Sequence, residues 1–365
     1  MTAAGYIGTY THGAGGRSAG VYSFLFDTDS GEARDLRIAA EAVNPEFLVL
    51  SASKKFLYAT HEINEFQGKP TGAVSAFAVS GARGENLSLI NHVSSMGKSP
   101  CHIALDNSGT YAVVSNYMEG SVAVFPIHAD GSIGECIQTV QFTGSGPNTE
   151  RQEAPHGHFF ITHETPGMGR PNRALACDLG SDRIWRFAFD KNGRKPLLPL
   201  DPPFFQSAAG SGPRHAIFHP TKNIVYVANE LACTVDVLSG ECLSLLQTIP
   251  ALPTTAKTAG SATATSATVA AIKFGADARR LYVSIRGDDS IASFRVREDG
   301  LLELERVVPS EGRMPRDFTF DPTGAYLLVC HQESDNLVVF HIDRTTGVLE
   351  KTREYEALSG VCVIM

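Results

Sequence analysis

The sequence predicts an all-β protein, a seven-bladed β-propeller of four-stranded blades, and three observations carry that prediction. One hairpin-like unit recurs in strict register. Helical periodicity is nearly absent. The two termini carry complementary pieces of one further unit.

The recurring unit is plainest in NPEFLVLSASKKFLYATHE (44–62), SPCHIALDNSGTYAVVSNY (99–117), GPRHAIFHPTKNIVYVANE (212–230) and MPRDFTFDPTGAYLLVCHQ (314–332). Each copy runs Pro, alternating apolar strand, polar turn, second strand, polar ending. From Pro45 to His61, Pro100 to Asn116, Pro213 to Asn229 and Pro315 to His331 the interval is sixteen residues. Two copies are degenerate. APHGHFFITHETPGMGRPNRALACDL (154–179) keeps Pro155 but lengthens its turn by seven residues, and TVAAIKFGADARRLYVSIR (268–286) carries Val269 in place of the Pro.

A third strand follows each pair (GAVSAFAV, GSVAVFPI, DRIWRFAF, CTVDVLSG, DSIASFRV, DNLVVFHI), and a weaker fourth follows that, as in LSLINHVSS and LLELERVVP. Six units of about 50 residues, each of four short strands, match a propeller, in which each blade buries its faces against its neighbours. For the seventh blade, YIGTYT (6–11) supplies a second strand and GVYSFLFD a third. SGVCVIM (359–365) aligns with SPCHIAL and supplies the missing first strand, so the C-terminus is expected to complete the N-terminal blade and close the ring. The expected organisation is one domain over 1–365. The Ala/Thr/Ser-rich run 252–268 and the polar stretch 143–158 are expected to be exposed connections between blades.

Composition narrows the function. The formal net charge of −8 and the lack of a basic stripe argue against a nucleic-acid partner, while leaving room for a local cationic pocket. No apolar run is long enough to span a membrane, and the N-terminal residues lack the pattern of a signal peptide. Seven cysteines with no CxxC pair fit scattered buried thiols in a reducing compartment, so the expected location is cytoplasmic.

Because the first two strands of a blade are antiparallel, the start of one and the end of the other share a face. The internal register therefore predicts a ring of side chains at one channel mouth. After the Pro position it reads Glu46, Cys101, His156, Arg214, Ala270, Arg316 and Val361; at the second-strand ends it reads Tyr10, Glu62, Tyr117, Leu179, Glu230, Arg286 and Gln332. Flanking positions add His102, His215, Asp317, His61, Asn116, Asp178, Asn229 and His331, while deeper positions such as Leu105, Phe160 and Phe218 are apolar. A single polar residue at such a mouth is ordinarily a solvated rim residue. Crowding Arg214, Arg286 and Arg316 with His156 and Glu230 instead points to an anionic occupant.

Other chemistries fit less well. His156, His158 and His163 suggest a metal, but His158 falls at an apolar strand position, no cysteine has ligand spacing, and the arginines would repel a cation; no metal or cofactor is expected. GSGP lacks the GK[ST] of a phosphate loop, no GxSxG elbow is present, and the one Trp, Trp185, sits in a third strand where packing is its expected role.

GPRHAIFHP followed by the ending YVANE, the opening YIGTYT and the repeated GSVAVF and DNLVVF segments resemble the seven-bladed lactonase family over essentially the whole chain. That family includes propeller-type 6-phosphogluconolactonase and carboxy-cis,cis-muconate cyclase. The resemblance implies a catalytic set of His156, Arg214, Glu230 and Arg286; the predicted ring itself offers His102, Arg316, Gln332, His215 and Asn116 as substrate-binding residues. It implies metal-independent opening of an anionic sugar lactone, 6-phosphogluconolactone first among them, in the pentose phosphate pathway. In that reaction His156 or Glu230 serves as general base, Arg214 stabilises the oxyanion, and Arg286 and Arg316 hold a phosphate or carboxylate. Two alternatives stand beside it: the cyclase reaction, and a non-catalytic propeller that binds protein. The expected partner is the small anionic lactone, with the protein a monomer or weak homo-oligomer.

Overall fold

The computed structural model describes residues 1–163, 172–240, 243–253 and 267–365. Most of the run 252–268 and the lengthened turn after His163 lie outside the described residues. Among those described there is no α-helix, and twenty-eight strands form seven four-stranded antiparallel sheets.

The chain divides into two compact units, residues 1–42 with 81–86 and 217–365, and residues 43–80 with 87–216. In the first unit, Gly360–Ile364 pairs with Thr2–Thr9, which pairs with Gly20–Asp27 and then Glu32–Glu41. Tyr6 faces Ile364 and Ile7 faces Val363, so the C-terminal strand completes the N-terminal sheet as the sequence predicts. Two groups fasten this closure. Asp317 accepts the Val363 amide at 3.1 Å and the Lys273 ammonium at 2.8 Å. Asp335 accepts the Ser359 amide at 2.7 Å and pairs with Arg17 at 2.7 Å.

Apolar cores lie between successive sheets. In the first unit, Tyr226, Val235 and Val237 pack with Leu281, Val283 and Phe294, and Phe318, Leu327 and Val338 pack with Tyr282 and Ile291. In the second, Tyr58, Val74 and Ala76 pack with Ile103, Val114 and Phe125, and Val122, Val124 and Phe142 pack with Phe160, Ala176 and Phe187. Alternation supplies these faces because every second residue of a sheet strand points the same way. Each buried large side chain contributes about 1.5–3 kcal/mol.

A local device recurs at the start of the first strands. The residue before the strand is left-handed: φ is 42° at Asn44, 49° at Ser99, 59° at Met314 and 50° at Ser359. Gly212 takes the same place before Pro213 at 61°, without the Cβ penalty the others bear. The register then slips between Pro45 and Leu48, Pro100 and His102, Gly157 and Phe159, Val269 and Ile272, and Pro315 and Asp317. These are β-bulges, which re-aim side chains and are frequent beside active sites. They fall at the ring positions.

Candidate active site

His61, Asn116, Asp178, Asn229 and His331 end their second strands, and their side chains are taken up by neighbouring protein groups. His61 Nε2 accepts from Ser75 Oγ at 2.6 Å while Nδ1 donates to the Val43 carbonyl at 2.7 Å. Asn116 Nδ2 donates to the Ser95 carbonyl at 3.0 Å, and Asn229 Nδ2 to Thr234 Oγ1 at 3.1 Å. Asp178 accepts from the His156 amide, from Ser181 and from Trp185 Nε1. All four, with His331, are buried rather than solvated. The pleat explains it: neighbours along a strand face opposite sides, so the residue after each of these strand ends points the other way. Asn116, expected to bind substrate, instead ties its strand to the connection that leads into its sheet. Trp185 is a packing residue, stacked on Phe142 with ring centroids 5.0 Å apart.

In the second unit the bulges bring a set of imidazoles together. Arg214 Nη1 donates to His215 Nε2 at 2.9 Å, and both residues are buried. Arginine is always a donor, so His215 accepts there and carries its proton on Nδ1. His158 lies against His215 with centroids 5.5 Å apart, and His102 lies 6.1 Å from His215. Phe47 and Phe159 wall the group, with Phe159 4.0 Å from His102 and 4.6 Å from His215. His102 Nδ1 accepts the Phe160 amide at 3.3 Å.

His156 departs from the predicted register. The Leu179 amide donates to the His156 carbonyl at 2.9 Å, as Tyr117 does to Ser99 at 2.8 Å and Glu62 to Asn44 at 3.0 Å. Gly157 faces Asp178, as Pro100 faces Asn116. His158, not His156, is thus the counterpart of Cys101. Pro155 misleads the alignment because Gly157 stands where the other copies have Pro. His156 instead occupies the end of the connection 143–158. Its Nδ1 lies 3.1 Å from the Tyr117 carbonyl and its Nε2 3.2 Å from Glu153 Oε1, and its ring stacks on Tyr117 at 4.4 Å and 9°. Arg151 donates to the Tyr117 hydroxyl at 3.3 Å. Gln152, wholly buried, pins the connection through Leu179 and Asp182. Burial raises the Glu153 carboxyl, but its own amide and then His156 outweigh that and leave it below the usual range. Tyr117 is one of the ring positions read from the sequence, whereas Glu153 lies outside that ring; the acid three residues before a histidine was the available signal for their pairing.

In the first unit, Arg286 Nη2 lies 2.9 Å from Glu230 Oε2, with side chains only 9% and 2% exposed. Arg316 lies over the Tyr10 ring at 5.3 Å, a cation–π contact. Gln332 Nε2 donates to the Ala14 carbonyl at 3.0 Å. Among the described residues no group of three or more His, Cys, Asp or Glu side chains is gathered to hold a metal ion.

Seven four-stranded antiparallel sheets form a β-propeller, with buried Arg214, His102, His158 and His215 gathered at strand starts. The family model for "Lactonase, 7-bladed beta-propeller" matches residues 4–365. The chain is 36% identical over 353 residues to a 6-phosphogluconolactonase of Bacillus subtilis, covering 94% of this chain and 93% of that one. It is 33% identical to a 6-phosphogluconolactonase of Formosa agariphila, covering 97% of each. Among solved structures, the periplasmic gluconolactonase of Pseudomonas aeruginosa matches with a TM-score of 0.88 at 28% identity, over 100% of this chain and 99% of that one. The chain belongs to the lactonase family of seven-bladed β-propellers, and it is a lactone-opening carboxylic-ester hydrolase.

Proposed function

We propose that the substrate is an anionic sugar lactone, 6-phosphogluconolactone, opened to 6-phosphogluconate without a metal. The observation that carries this reading is the buried group of Arg214, His215 and His158, a fixed guanidinium beside two imidazoles in edge-to-face contact at strand starts. The relatives called 6-phosphogluconolactonase support the choice of substrate.

Hydrolysis needs three things: an activated water, a partner for the tetrahedral oxyanion, and a proton for the leaving ring oxygen. His156 has acceptors at both ring nitrogens, and Glu230 is paired with Arg286, which lowers its worth as a base. The base role passes to His158. It takes a proton as water adds to the carbonyl carbon, Arg214 stabilises the oxyanion, and the ring C–O bond breaks. The departing oxygen takes the proton back from the His158 imidazolium, and the product acid ionises to solvent. Each oxyanion donor of this kind contributes about 3 kcal/mol.

The test is a continuous assay of 6-phosphogluconolactone hydrolysis with a chelator present, beside parallel assays with unphosphorylated gluconolactone and carboxymuconate. Turnover well above spontaneous hydrolysis, favouring the phosphorylated lactone, supports the reading. Turnover of carboxymuconate alone overturns it in favour of the cyclase.

A further inference from the structure

The connection 143–158 carries a carboxylate, that of Glu153, 3.2 Å from the His156 Nε2. His156 Nδ1 faces a backbone carbonyl, that of Tyr117, at 3.1 Å, and a carbonyl only accepts, so Nδ1 carries a proton. Nε2 faces the Glu153 carboxylate at 3.2 Å, which also only accepts when ionised. Both nitrogens are satisfied only when both are protonated. The Tyr117 ring, stacked on the imidazole at 4.4 Å and 9°, favours a cation through its negative face. Around this cation stand Glu153 on the same connection, Tyr117 and the Arg151 bound to its hydroxyl, and Asp178, which takes the His156 backbone amide. His156 is 3% exposed at its side chain, while Glu153 is 50% exposed. The imidazole is fixed and the carboxylate sits at the solvent edge, where exposed pairs contribute little.

We propose that the Nε2–H of His156 is an anion-binding position that takes the substrate's phosphate, and that Glu153 fills it when no substrate is bound. The inference rests on the reading above that the substrate is phosphorylated. Glu153 is an internal competitor: the phosphate displaces its carboxylate from Nε2 and takes over the charge-assisted hydrogen bond. The same contact turns His156 into a residue that positions the lactone rather than one that moves its protons.

The test titrates inorganic phosphate into full-length protein labelled with 15N-histidine at mildly acidic pH, for wild type and Glu153→Gln. His156→Asn identifies the signals of that ring. The expected results are His156 signals of a doubly protonated ring in wild type, and saturation by phosphate at a concentration about two- to fivefold lower in Glu153→Gln, the range that an ion pair this exposed supports. Acetate, run as a second probe, is expected to be the weaker of the two. A neutral His156 ring, equal phosphate affinity in the two proteins, or acetate binding as well as phosphate each overturns the proposal. In kinetics, Glu153→Gln lowers KM for 6-phosphogluconolactone and leaves KM for gluconolactone unchanged. The titration requires no turnover, so a failed titration sinks this proposal alone, and failed hydrolysis sinks the substrate reading.

Discussion

Arg214 donates through Nη1 to Nε2 of its own sequence neighbour His215 across 2.9 Å, with both side chains buried. Adjacent residues of a regular strand point to opposite faces, and a β-bulge is one way to bring their side chains together. The other first strands of the repeat show such a bulge at the corresponding position. One irregularity, repeated with the blades, gives the fold a row of side chains aimed away from the sheet faces. Arg214 and His215 are the most chemically able pair in that row.

His158 is the residue whose loss separates chemistry from binding. His158→Asn is expected to lower kcat by about a hundredfold or more, with KM changed by less than about threefold. The acid limb of the pH–rate profile should disappear with it, because a general base stops working once protonated. His156→Asn should instead raise KM for the phosphorylated lactone and leave that limb in place. Steady-state kinetics across pH on the two variants decides the assignment, and the reverse pattern returns the base role to His156.

The Glu230–Arg286 pair makes a stability prediction. Removing one partner of a buried ion pair leaves an uncompensated charge, at a cost of about 3–5 kcal/mol. Arg286→Met alone should therefore destabilise the fold by that order in denaturant titration. The double variant Glu230→Gln, Arg286→Met should recover most of the loss. An additive double variant would show that the two side chains do not act as a pair.

Asp317 holds the Val363 amide and the Lys273 ammonium at the point where the C-terminal strand joins the N-terminal sheet. Asp317→Ala is expected to cost about 2–4 kcal/mol and to raise hydrogen exchange selectively along Gly360–Ile364. Arg17→Ala, which removes a pair whose arginine is 46% exposed, should cost less than about 1 kcal/mol. Comparable losses in the two variants would refute the ranking.

Two buried histidines set an acid limit. Burial pushes His61 and His331 down to about 4, against the opposing pull of the Val43 and Asn336 carbonyls. Between about 6.5 and 4 the unfolded chain binds protons that the folded chain does not, so stability falls as pH drops through that window and rises as pH returns. Below about 4 these two groups contribute no further loss. Denaturant titrations across this range should show the slope, and His61→Gln should reduce it by up to one proton. An unchanged slope would mean that His61 titrates normally in the fold.

The repeat was legible because a sixteen-residue interval between a Pro and a polar strand end survives in four copies, and a pleated hairpin fixes such spacing. The C-terminal closure was legible for the same reason, through the likeness of SGVCVIM to SPCHIAL. Orientation was not. Whether Asn116 faces the ring or the connection into its sheet depends on where the bulge falls, and bulges leave no reliable composition signature. His156 was placed by Pro155, and only the hydrogen bonds of Leu179 and Gly157 show that the hairpin begins two residues later. The pairing of Glu153 with His156 was not legible, because it depends on how the connection 143–158 folds back on Tyr117, distant in sequence.

The most direct measurement is kcat/KM for 6-phosphogluconolactone with Arg214→Ala set against wild type in the presence of EDTA. The account predicts wild-type turnover that survives the chelator, and a fall of at least about a hundredfold in the variant, equivalent to about 3 kcal/mol of lost oxyanion stabilisation. Wild-type turnover no faster than spontaneous hydrolysis, or a variant within a fewfold of wild type, would contradict it.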